Sequence, residues 1–197
     1  MKFVLRAVCA SLPLVLLGAT GVAAQAFEPV GWYGTLGYSR LDGDQVTLGS
    51  VSGRVGARFG SYFGLEGELN VGVNTDTFTY FPPCAGPICS IAIFRVNSRL
   101  GNAEGIYAVG YLPVSQNVDL FARAGYGFSH YTASQAFFNG FDEQSFNYGA
   151  GGQFFFDGMN GIRLDYTRQA VTQDTRPGQE AIGSNADVWS VSYVRRF

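Results

Sequence analysis

Two consecutive stretches constrain this fold more than any others. In Ser50 to Phe59, Val51, Val55, Ala57 and Phe59 alternate with Ser50, Ser52, Arg54, Gly56 and Arg58. In Tyr62 to Asn74, Phe63, Leu65, Leu69, Val71 and Val73 alternate with Gly64, Glu66, Glu68, Asn70 and Asn74. A period of two is the signature of an extended strand, whose successive side chains point to opposite faces. A helix of period 3.6 would scatter both rows around its axis. Each strand therefore has one apolar face and one face with two like charges, arginine in the first and glutamate in the second. The connection at Gly60-Ser61 is short enough to make the two a hairpin, which brings Arg54 and Arg58 within reach of Glu66 and Glu68.

The same alternation recurs along the chain, separated by turn residues. Gly31 to Leu41 sets Trp32, Gly34, Leu36 and Tyr38 against Tyr33, Thr35, Gly37 and Ser39. Ala103 to Pro113 is expected to point Tyr107, Val109 and Tyr111 to one side, and Glu104, Ala108 and Gly110 to the charged side. Val118 to His130 sets Leu120, Ala122, Ala124, Tyr126 and Phe128 against Arg123, Gly125, Gly127 and Ser129. Ser145 to Phe156, Ile162 to Gln169 and Ala186 to Phe197 complete the set, with Arg163 and Asp165 on the polar row of the seventh run. Eight runs result. The connections after the second, fourth and sixth are short, and those after the third, fifth and seventh are long. Thr75 to Asn102, with Pro82-Pro83 and both later cysteines, is read as a long irregular loop, and Ile91 to Val96 as an extension of the strand that follows it.

Which face is inside decides between a soluble sandwich or lipocalin-like barrel and a membrane barrel. The polar rows are rich in glycine and contain no lysine, because Lys2 is the only lysine in the chain. Their charges balance four against four: Arg54, Arg58, Arg123 and Arg163 against Glu66, Glu68, Glu104 and Asp165. A confined polar interior favours arginine, whose planar guanidinium pairs bidentately with carboxylates. The opposite rows carry aromatics near their ends, including Trp32, Tyr38, Phe59, Phe63, Tyr126, Phe128, Phe146, Phe156 and Trp189. That is the arrangement of girdles at two membrane interfaces. A closed sheet also pairs every backbone group, which a lipid environment demands. The expectation is an all-β, eight-stranded antiparallel up-and-down transmembrane β-barrel, with these eight charged residues as interior ion pairs.

Residues 1–26 read as a cleavable signal peptide and residues 27–197 as the barrel domain. Lys2 and Arg6 precede an apolar run, and Ala24-Gln25-Ala26 is a small-x-small cleavage site, with an alternative cut after Ala24 following Val22-Ala23-Ala24. The run is short for a spanning helix and is interrupted by Pro13 and Gly18. Removing Lys2 and Arg6 takes the 13 basic residues to 11 against 15 acidic. No basic nucleic-acid footprint remains. Cys84 and Cys89 lie close together in an exported chain and are expected to form a disulfide. With one histidine, His130, a four-ligand zinc set is not available. No metal, cofactor or catalytic residue is expected, since His130 follows Ser129 directly and the two point to opposite faces of a strand.

The segments GWYGTLGYSR, YFGLEGELNVG, LFARAGYGF, NYGAGGQF and GIRLDYTR, in that order and followed by a terminal Phe197, resemble the small outer-membrane β-barrel family related to the OmpA transmembrane domain. The resemblance implies an integral location in the bacterial outer membrane and no common enzymatic activity. Trp189, Val191, Tyr193 and Phe197 on the outer row of the final strand are similar to the signal by which such barrels are recognised for assembly, with Arg195 as a departure from it. No further domain is expected after the barrel. The expected partners are the lipid bilayer and the outer-membrane assembly machinery, together with a surface ligand or host contact made by the long loops; a monomer is expected. The expected role is structural in the envelope or interactive at the cell surface. The alternative is a narrow passive channel for small solutes.

Overall fold

The computed structural model describes residues 30–43, 46–80, 94–133, 140–174 and 185–197. All regular structure among them is β: β1 (Gly31–Asp42), β2 (Thr47–Phe59), β3 (Phe63–Gly72), β4 (Asp76–Tyr80), β5 (Phe94–Pro113), β6 (Val118–Ala133), β7 (Phe141–Phe155), β8 (Asn160–Asp174) and β9 (Ala186–Arg196). Each strand pairs antiparallel with its neighbour in the order β3-β2-β1-β9-β8-β7-β6-β5, and β3 pairs with β5 to close the ring. Eight strands form the wall. The ninth, β4, is a short continuation beyond β3 that pairs with the outer end of β5, Asp76 opposite Ser98.

The closing seam is the one between first and last strands. Gly34 lies opposite Arg195 and Asp42 opposite Asp187, and the Phe197 amide donates to the Trp32 carbonyl at 2.9 Å. The tight turns at one end need left-handed backbone, and glycine supplies it at Gly60 (φ 64°) and Gly158 (φ 79°). In the β7–β8 turn the Asp157 carboxylate accepts from the Met159 and Asn160 amides at 3.0 and 2.6 Å. These backbone and side-chain hydrogen bonds, Asn160's first, hold the Asp157 carboxyl below the usual carboxylate range.

Within the segment Thr75 to Asn102 the described residues are largely strand, and residues 94–96 extend the following strand as expected. β5 already begins at Phe94, and β4 pairs with it. β6, β7 and β8 likewise run past the apolar rows that revealed them, to Ala133, from Phe141 and to Asp174. Outside the apolar band both faces of a strand are wet, so the alternation fades while the ladder continues. Cys84 and Cys89, and the signal segment 1–26, lie outside the described residues.

Candidate functional site

The outward rows are the apolar ones. Leu36, Val55, Leu65, Leu69, Leu120 and Leu164 are exposed, while Arg54, Glu66, Arg123 and Arg163 are buried. Aromatics flank this band: Trp32, Phe59, Phe63, Phe156 and Phe197 at the tight-turn end, and Tyr38, Tyr126, Phe128 and Trp189 towards the long-loop end. Arg195 points outward at the tight-turn end, opposite Asn160. An arginine costs only about 0–1 kcal/mol on the lipid face near an interface, against about 2–4 kcal/mol at the midplane.

The interior is filled in layers. Towards the long-loop end, Leu41, Leu48, Leu100, Ala103, Tyr131, Ala186 and Val188 pack into an apolar cluster. Below it lies a network of six charged side chains. Arg54 Nε donates to Glu68 Oε2 at 2.6 Å and its Nη1 to Asp165 Oδ2 at 2.9 Å. Arg123 Nη1 donates to Glu68 Oε2 at 2.6 Å and to Glu66 Oε1 at 2.9 Å. Arg163 Nη1 donates to Glu66 Oε2 at 2.6 Å. Three guanidinium groups face three carboxylates, so the layer is neutral. Neutrality is what makes burial tolerable, because an unpaired charge in this position would retain its full desolvation cost.

Tyrosines extend the network downwards. Tyr111 donates to the Tyr33 hydroxyl, which donates to Glu66 Oε2, both at 2.8 Å. The Arg123 guanidinium lies 4.4 Å from the Tyr107 ring centre, and Arg163 lies 4.0 Å from that of Phe121. Tyr33, Tyr107, Val109, Tyr111, Phe121, Phe155 and Val194 form a second apolar cluster. Beneath it, Asp119 Oδ2 accepts from Arg58 at 2.8 Å, Arg196 at 2.6 Å and Gln153 at 2.9 Å. Glycine makes room for these rings: a Cβ on Gly56 would lie 2.1 Å from the Tyr33 ring, and one on Gly151 2.5 Å from Phe121.

Two sequence expectations are corrected here. Glu104 is not an interior residue: it lies on the outward row of β5, within 3.3 Å of the Asn102 amide. With it the whole facing of that strand is inverted. Tyr107, at 2 % exposure, faces inward with Val109 and Tyr111, while Ile106, at 74 %, faces lipid. The physical reason is that each tyrosine satisfies the interior twice: Tyr107 packs its ring on Arg123 and its hydroxyl accepts from Asn147 Nδ2 at 2.9 Å, while Tyr111 packs on Arg58 and donates to Tyr33. An irregularity in the β5–β6 register between Leu100 and Asn102 also switches the inward parity along β5. The second correction concerns Arg58, which pairs with Asp119 rather than with the glutamates. Sequence reasoning missed Asp119 and Arg196; both alternate inward at the strand ends, where the apolar rows had stopped guiding the reading.

The Ser129 side chain is buried inside, while His130 is exposed outside, its Nδ1 2.6 Å from Asp142 Oδ1. Among the described residues no group of three metal-ligating side chains comes together.

The model of the outer membrane protein beta-barrel domain family matches residues 11–197. No curated protein matches the chain. Among solved structures, the chain is similar in fold to OprG from Pseudomonas aeruginosa (TM-score 0.56, 9 % identity, covering 87 % of this chain and 97 % of that one). It is also similar to Ail, the attachment invasion locus protein of Yersinia pestis (TM-score 0.54, 15 % identity, 86 % and 100 % covered). The N-terminal β-barrel domain of Pseudomonas aeruginosa OprF is a third (TM-score 0.51, 10 % identity, 83 % and 96 % covered). The chain thus belongs to the outer membrane protein β-barrel domain family, as an integral protein of the bacterial outer membrane.

Proposed function

We propose that this protein is a non-enzymatic, non-conducting outer-membrane barrel that acts through what it displays at the cell surface. The observation that carries this reading is the filled cross-section. Two apolar clusters lie above and below a neutral layer of three arginines and three carboxylates. An eight-stranded barrel has an interior just wide enough for side chains to fill, and here they do. Solute transit would require breaking buried ion pairs and separating two packed clusters, which weighs against the narrow-channel alternative.

The non-enzymatic part of the proposal rests on His130. Its Nδ1 lies 2.6 Å from the exposed Asp142 carboxylate, and it makes no hydrogen bond to a serine or cysteine among the described residues. Residues 1–26 act in this reading as the export signal, and the outer row Trp189, Val191, Tyr193 and Phe197 as the segment read by the assembly machinery. Interaction falls to the long-loop end, where the wall extends past the apolar band as β4 and the outer parts of β5 to β8. Ail, the attachment invasion locus protein of Yersinia pestis, shares the barrel architecture; the fold is compatible with a surface role. The test is removal of residues 80–91, from the last residue of β4 into its connection to β5. The shortened protein should keep its folded, heat-modifiable migration while the cells lose adhesion to host cells. Unchanged adhesion would remove the interaction role from this loop.

A further inference from the structure

The lipid-facing wall is not uniformly convex. A concavity of about 500 Å³ opens outward between β1, β9, β8 and β7, walled by Tyr38, Val191, Trp189, Tyr166 and Leu164 and floored by Ala150. Its volume falls within the range of about 300–1,000 Å³ typical of small-molecule sites. Register explains the shape. Arg40 lies opposite Trp189, Trp189 opposite Tyr166, and Tyr166 opposite Ala150, one row around the barrel. In the row below, Tyr38, Val191 and Leu164 lead to Gly152. Two rows of large side chains end on a methyl group and a hydrogen, so the wall drops away at β7.

Charge sits at the outer rim of this groove. Arg40 projects outward with its side chain 59 % exposed, and its Nε is held by Asp42 Oδ1 at 2.8 Å. Its two terminal nitrogens have no partner among the described residues. Beside it, Asp187 Oδ1 accepts from the Tyr166 hydroxyl at 2.6 Å and from Arg168 at 2.7 Å. Asp42 and Asp187 thus orient the rim and leave the forked end of one guanidinium facing out. Trp189 and Tyr166 beneath it belong to the aromatic girdle of the long-loop end, so Arg40 stands at headgroup level in the outer leaflet.

We propose that this groove is a binding site for one phosphorylated lipid of the outer leaflet. An acyl chain lies over Ala150 between Trp189 and Leu164, and the phosphate takes a bidentate hydrogen bond from Arg40. The occupant follows from location and charge together. A concave apolar surface within the lipid-facing band is filled by lipid tails, and the free guanidinium fork above it matches a phosphate oxygen pair. The inference rests on the membrane location alone and stands whether or not the loops have a surface role.

The chain has two tryptophans, Trp32 and Trp189, so a Trp32→Phe protein reports on the groove through Trp189 fluorescence. In neutral maltoside micelles, phosphatidic acid with brominated acyl chains should quench Trp189 at a several-fold lower concentration than diacylglycerol with the same chains. Arg40→Gln should bring the two curves together. Ala150→Phe should abolish the tight quenching; if it does not assemble, Leu164→Trp should lower retention of phosphatidic acid in native mass spectrometry, and unchanged retention would overturn the groove as the site. Equal quenching by the two lipids, or an unchanged curve for Arg40→Gln, would overturn the phosphate contact. Cross-linking of two copies through the Trp189 face would overturn the lipid as occupant in favour of a second copy.

Discussion

Glu66 is the residue on which most of the interior depends. It accepts from Arg123 and Arg163 and from the Tyr33 hydroxyl, and it is 1 % exposed. Replacing it by alanine leaves two buried guanidinium groups short of a partner. Breaking a buried pair in this way costs about 3–5 kcal/mol. We expect Glu66→Ala to shift the urea unfolding midpoint of the micelle-bound barrel accordingly, followed by its heat-modifiable mobility. Glu104→Ala, on the outward row, should change it by less than about 0.5 kcal/mol. Equal losses in the two variants would contradict the facing assigned to β5. Asp157 offers a separate, pH-dependent check. Its carboxyl is held low in the folded turn, so its contribution is present above the unfolded carboxylate value and is lost as pH falls through the folded one. Asp157→Asn should therefore flatten the acid limb of the unfolding profile without altering stability trends above neutral pH.

At the scale of the element, β2 and β3 were the most legible strands and β5 the least, for one reason. In β2 and β3 the inward row is polar and the outward row apolar, so alternation alone fixes the facing. In β5 both rows contain large apolar or aromatic residues, and only the interior partners of Tyr107 and Tyr111 decide which turns in. Side-chain chemistry between strands distant in sequence cannot be read from a local period. The same limit hid Asp119, whose partners Arg58 and Arg196 come from β2 and β9. That contact ties the final strand to the opposite side of the barrel. Arg58→Leu should lower the melting temperature in detergent by removing one of its two guanidinium partners. In the proposed reading Phe197 serves assembly more than the finished wall. The residue is 79 % exposed, and its hydrogen bond to Trp32 is made by the backbone amide. Deleting it should cut the yield of assembled barrel in cells while the assembled fraction melts nearly as before; equal effects on both would give it a structural role instead.

For the whole molecule, the fold is a ring of eight strands with an apolar outside and an interior filled by buried side chains. Backbone pairing closes the ring of eight strands, and neutralised charges and tyrosines line its interior. Closure, eight-strand count and the direction of the charged rows could be anticipated from alternation and the choice of arginine over lysine. The division of the interior into two apolar clusters with a charged layer between them could not, because Leu41, Leu48 and Val188 lie on inner rows that looked polar lower down. A barrel filled in layers should carry no ion current, which electrical conductance measures. Purified protein with confirmed heat-modifiable migration, inserted in a planar lipid bilayer, should leave the membrane current at baseline across the voltage range. A steady ohmic current would contradict the filled interior and return the narrow channel as the reading of this barrel.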